Sequence, residues 1–144
     1  MAGSCAERRA GSSPLIKRGV QVANVKTILV VDDEEAVVEF VASLLEDSGY
    51  RILRAYDGLG ALEIARAEHP DLVITDIMMP IMNGLELCRQ LHASPATRHI
   101  PVVLMTAGRL QHEECPEART LAKPFDLAEL EDAVSCALSA APAM

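Results

Sequence analysis

Along most of this chain, apolar and polar residues alternate in blocks whose period changes in a regular order. Residues Ile28 to Val31 form an uninterrupted apolar run, as a short strand buried on both faces would. Val37, Val38, Val41, Leu44 and Leu45 then recur at helical spacing and stop at Gly49, which predicts an amphipathic helix. Tyr50 to Tyr56 alternates apolar with basic positions, as a less deeply buried strand does; Asp57-Gly58 turns the chain, and a helix over 59–68 closes at His69-Pro70. Leu72 to Thr75 is a second buried run, ending at Asp76, and Gly84 to Leu91 reads as helix. Pro101 to Met105 is a third, ending at Thr106, and 118–122 is a candidate fifth strand ending at Lys123. The last helix opens at Asp126 and Glu129, which have the spacing of a capping box, and turns Leu127, Leu130, Val134, Ala137 and Leu138 inward.

Strands alternating with helices at this spacing predict an α/β fold, a doubly wound parallel sheet with helices on both faces. Such sheets bind ligands at the carboxyl ends of their strands. Asp32, Asp33, Asp76, Thr106 and Lys123 all fall at predicted carboxyl ends.

A chain of 144 residues, half of them apolar, suffices for one ordinary domain with a core of its own. The four cysteines, Cys5, Cys88, Cys115 and Cys136, show no C-x-x-C pair and read as reduced thiols of a cytoplasmic protein. The formal net charge is −8, unevenly distributed: five basic residues against Glu7 give residues 1–26 a charge of +4, leaving −12 for the remainder. A body so acidic repels nucleic acid, and no apolar stretch has membrane-spanning length. Residues 1–26 lack any sustained period and read as a disordered basic tail, 27–140 as the folded domain, and 141–144 as a short tail that leaves no room for an output domain.

If the buried runs lie side by side, Asp32, Asp33 and Asp76 converge on one small volume. Unpaired, they would raise one another's pKa values and destabilise the fold, so a cation is the natural resolution. All-oxygen ligation with room for water suits Mg²⁺ better than Ca²⁺. The metal alone leaves Lys123 and Thr106 without a role. An ammonium and a hydroxyl aimed at the same carboxylates are what a transferred phosphoryl group needs, which makes Asp76 the candidate nucleophile. The order and spacing distinguish this set from isolated capping aspartates; no G-x-x-x-x-G-K-[ST] supports a P-loop reading, and His112 with Cys115 reads as a solvated loop rather than a zinc site.

Val31-Asp32-Asp33, the run from Asp71 to Pro80 with Asn83-Gly84 after it, Leu104 to Ala107, and Lys123-Pro124-Phe125 together resemble the motif set of response-regulator receiver domains, the phosphoacceptor modules of two-component signalling. The resemblance covers roughly 27–140. It implies a flavodoxin-like five-stranded sheet of order 2-1-3-4-5 and phosphorylation of Asp76. It further implies that Asp33 binds Mg²⁺ directly, Asp32 mostly through water, and the Met78 carbonyl as another ligand. Thr106 would swing toward the phosphoryl oxygens, Ala107 would leave them room, Lys123 would pair with them, and Pro124 would follow a cis bond. The implied partners are a sensor histidine kinase or histidine phosphotransfer protein and a downstream protein target. In that role the chain is not an enzyme with a turned-over substrate, although it would catalyse its own phosphorylation and dephosphorylation.

Two departures stand out. Sixteen residues separate Thr106 from Lys123, and with Pro116 among them the helix between strands four and five is expected to be stunted or missing. Thr120 occupies the place, three residues before the lysine, where the family commonly has an aromatic switch residue. Both leave open an alternative, a receiver-like interaction module that works without phosphorylation. A phosphotransferase of the haloacid dehalogenase type wants D-x-D after the first strand, and Asp32-Asp33-Glu34 lacks it.

Overall fold

A computed structural model describes residues 25–107 and 118–139. Nine elements follow in order: β1 (Thr27–Val31), α1 (Glu35–Asp47), β2 (Arg51–Ala55), α2 (Gly58–Glu68), β3 (Leu72–Asp76), α3 (Gly84–Ala93), β4 (Val102–Thr106), β5 (Arg119–Ala122) and α4 (Leu127–Ser139). The strands form one sheet of order β2-β1-β3-β4-β5, parallel at every pairing, as the resemblance implied. Helix ends extend one or two residues past the periodic positions, because the apolar pattern marks the buried face and not the last hydrogen bond.

Two-residue periodicity divides the core. Leu29, Val31, Val73, Leu104, Leu87 and Leu91 pack on the face covered by α2 and α3. Ile28, Val30, Ile74, Val103, Met105 and the inward residues of α1 and α4 pack on the other. Each wholly buried aliphatic side chain contributes about 1.5–3 kcal/mol, so a register slip in β1, whose Ile28 to Val31 are fully buried, would be severely unfavourable.

Caps hold the helices in place at the carboxyl edge. Asp57 accepts from the Gly60 N–H at 2.6 Å and Asn83 from the Glu86 N–H at 2.9 Å. The capping box read at α4 is reciprocal: Glu129 N–H donates to Asp126 at 2.8 Å and Asp126 N–H to Glu129 at 3.1 Å.

One expectation is corrected. Cys88 and Cys136, on helices that cover opposite faces of the sheet, are each disulfide-bonded and are not the reduced thiols that their scattered spacing suggested. Spacing cannot report pairing that the fold creates. Cys5, Cys115 and His112 lie outside the described residues, as do most of the basic tail, the C-terminal tail and the segment in which a helix between β4 and β5 was expected to be stunted or missing. No helix among the described residues is long and apolar enough to cross a membrane.

Candidate functional site

Parallel strands that end together deliver their next residues to one edge. Asp32 follows β1, Asp76 ends β3, Thr106 ends β4 and Lys123 follows β5. The ends are stitched by backbone bonds: the Ile77 N–H donates to the Met105 carbonyl at 3.3 Å and the Lys123 N–H to the Thr106 carbonyl at 2.7 Å. The Lys123–Pro124 peptide bond is cis, as the resemblance implied.

Asp32, Asp33 and Asp76 each offer a carboxylate oxygen within 4.8 Å of the others, and among the described residues this is the one group that brings three ligating side chains together. Asp32 is 2% exposed and Asp76 7%, whereas Asp33 faces solvent. The Lys123 ammonium lies 2.6 Å from Asp76 Oδ1 and 3.9 Å from Asp32 Oδ2. Three carboxylates against one ammonium leave two uncompensated negative charges.

The strain of that imbalance falls on Asp32. Its Oδ1 accepts from the Glu34 N–H at 3.0 Å, but its buried Oδ2 accepts no hydrogen bond, since the ammonium at 3.9 Å is out of reach. Burial pushes the Asp32 carboxyl up to about 6; the Glu34 N–H opposes this, the Asp76 charge and a hydrogen bond with Asp33 add to it, and Lys123 opposes it. For Lys123 burial acts downward, but the hydrogen bond to Asp76 and the charges of Asp76, Asp32 and Glu34 raise its pKa overall. An orphaned buried carboxylate oxygen and a deficit of two positive charges fit a divalent, oxygen-preferring cation.

The loop after β3 is held close. Thr75 donates its hydroxyl to the Asp76 carbonyl at 2.9 Å, and the Gly84 N–H returns to the Ile77 carbonyl at 2.9 Å. A Cβ on Gly84 would collide with the Asp76 carbonyl oxygen, so only glycine lets α3 start there. Asn83-Gly84 was legible only as part of a motif; the contact itself has no local signal. Met79 is buried and Met82 packs against the core, in keeping with a packing role, while the Met78 side chain is 77% exposed. Thr106 is half-buried with Ala107 exposed after it, and Thr120 is exposed on β5 opposite Leu104.

Comparison with known proteins agrees with this geometry. Residues 28–135 match the family model described as the response regulator receiver domain. The response regulator PleD of Caulobacter vibrioides is 44% identical over 104 residues, 69% of this chain; that match spans 23% of PleD, so the chain corresponds to about a quarter of that protein. The polar-differentiation response regulator DivK of Brucella ovis is 39% identical over 89 residues, 62% of this chain and 72% of DivK. Among solved structures, the receiver domain of the Pseudomonas aeruginosa sensor histidine kinase PA1611, which has a magnesium ion coordinated in its active-site cleft, superposes with a TM-score of 0.73 at 29% identity, covering 81% of this chain and 99% of that one. With order, edge and acid cluster agreeing over three quarters of its length, the chain belongs to the response regulator receiver domain family.

Proposed function

We propose that the chain is a Mg²⁺-dependent phosphoacceptor of two-component signalling, taking a phosphoryl group on Asp76 from a histidine kinase or histidine phosphotransfer protein. The observation that carries this reading is the buried Asp76 carboxylate, 2.6 Å from the Lys123 ammonium and clustered with Asp32 and Asp33. Asp32, Asp33, Asp76 and the Met78 carbonyl would hold Mg²⁺, which would supply charge compensation for the oxygens of the phosphoryl group in transfer. The magnesium in the PA1611 cleft supports the choice of ion.

The residues of the chain do the rest. An Asp76 carboxylate oxygen forms the new bond to phosphorus while the bond from phosphorus to the donor nitrogen breaks, its electron pair returning to the imidazole. Lys123, already on Asp76, neutralises the equatorial oxygens, and the Thr106 hydroxyl donates to one of them. The product signals by contact with a downstream protein; the chain turns over no separate substrate, yet it catalyses its own phosphorylation and dephosphorylation. Thr120 favours a second reading, a phosphorylation-independent module, because an exposed threonine cannot repeat the inward motion of a ring.

Incubation with Mg²⁺ and acetyl phosphate is expected to add one phosphoryl mass, and chelation of the metal to prevent it. No gain by a protein that demonstrably binds Mg²⁺ would favour the second reading. Lys123→Ala is expected to slow the mass gain about 10²–10³-fold, the scale of removing one preorganised donor to developing oxyanion charge. A rate within a factor of about two of the parent would remove Lys123 from the chemistry.

A further inference from the structure

Gly58 was legible only as half of a turn, yet it is buried as the first residue of α2. A Cβ there would lie 2.7 Å from the Met82 carbonyl oxygen and 2.8 Å from Met82 Cβ and Cγ, closer than real side chains approach. Met82 belongs to the loop that follows Asp76. That loop is braced from within by the Met79 N–H on the Ile77 carbonyl at 3.1 Å and the Met82 N–H on the Pro80 carbonyl at 2.7 Å. Its conformation is nonetheless costly: Ile81 sits at φ 71° with its side chain 96% exposed, and a β-branched residue does not adopt that backbone without being held.

What lies behind the loop is the start of α2, from a different strand–helix unit. That start is itself fixed, because the Asp57 carboxylate holds the Gly60 N–H and the Ala61 N–H returns to the Asp57 carbonyl at 3.0 Å. We infer that Gly58 is a positioning residue for the phosphoacceptor loop: with no side chain, it lets α2 abut Met82 directly and so sets where the Asp76–Met78 segment stands relative to Asp32 and Asp33. The link to Mg²⁺ rests on the proposed function; the positioning of the loop does not.

Gly58→Ala keeps ordinary helical backbone and should favour α2 by propensity, so a loss can come only from the contact. Two readouts test it, with Gly60→Ala as control, because a Cβ at Gly60 meets only the end of the Asp57 side chain at 3.1 Å. In the metal-free protein, amide resonances of 77–84 are expected to shift in Gly58→Ala and to stay in place in Gly60→Ala. By isothermal titration, which needs no tryptophan, Gly58→Ala is expected to bind Mg²⁺ about tenfold more weakly or worse, the scale of losing a supporting contact behind a metal ligand. Should Gly58→Ala not fold, Met82→Ala removes the opposing side chain without adding a clash and is expected to move both readouts the same way. Unmoved loop resonances, or moved resonances with parental Mg²⁺ affinity, would overturn the inference. A parent that binds no Mg²⁺ would contradict the proposed function instead, and the resonances would still decide the role of Gly58.

Discussion

An Asp76→Asn variant is expected to take up no phosphoryl group and yet to fold at least as stably as the parent without metal. The amide nitrogen cannot attack phosphorus as a carboxylate does, and the remaining oxygen is a poor nucleophile. The shape is conserved, and Lys123 keeps an acceptor at the position of the 2.6 Å contact with Oδ1. Removing one of three converging carboxylates relieves Asp32, whose pKa the Asp76 charge helps to raise. The relieved repulsion, one close like-charge contact at an effective dielectric of about 20, is on the order of 4 kcal/mol, and the weakened attraction to Lys123 offsets most of it. Thermal melts in chelator should therefore place the variant at or above the parent, and Mg²⁺ should raise the parent by more than the variant. A variant that melts well below the parent in chelator would mean that the Asp76–Lys123 pair holds the fold together rather than waiting for a ligand.

The second large effect is a pH dependence that reverses when metal is added. Burial first, then the Asp76 charge and the hydrogen bond with Asp33, raise Asp32 from its ordinary 3.8 to about 6. A carboxyl raised in the folded state keeps its proton while the unfolded chain has released it, so its contribution to stability is complete below 3.8 and is lost as pH rises through about 6. That interval corresponds to about 3 kcal/mol at most for the metal-free protein. Mg²⁺ demands the ionised form, so its affinity should climb about tenfold per pH unit below the Asp32 pKa and level off above it. Melts at about pH 5 and about pH 7 should fall with pH in chelator and rise with pH in Mg²⁺, and Asp32→Asn should flatten both. A metal-free protein that gains stability steadily over this interval would show that Asp32 is already compensated by its neighbours.

The fold was legible because its chemistry is one-dimensional. A parallel strand buried on both faces is built on an unbroken apolar run, and β1, β3 and β4 contain such runs at 28–31, 72–74 and 102–105; an amphipathic helix must repeat every three or four residues, and α1 and α4 do. The site followed because strand ends converge by construction, so residues 76 and 123 meet at 2.6 Å although 47 positions apart. What the sequence hid depends on a third dimension. Asp32 and Asp33 are adjacent and identical, and only the sheet shows that one is buried with an orphaned oxygen and the other exposed. The disulfide state of Cys88 and Cys136 and the contact of Gly58 with Met82 arise from packing that no local pattern encodes.

The central claim, phosphoryl transfer to Asp76, is tested most directly by trapping the acyl phosphate. After incubation with Mg²⁺ and acetyl phosphate, borohydride reduction converts a phosphorylated aspartate to homoserine, which peptide mass spectrometry locates. Homoserine at position 76 and nowhere else, absent when metal is chelated, is the predicted result. An unmodified Asp76 in folded, Mg²⁺-bound protein, or homoserine at another aspartate, would contradict the account.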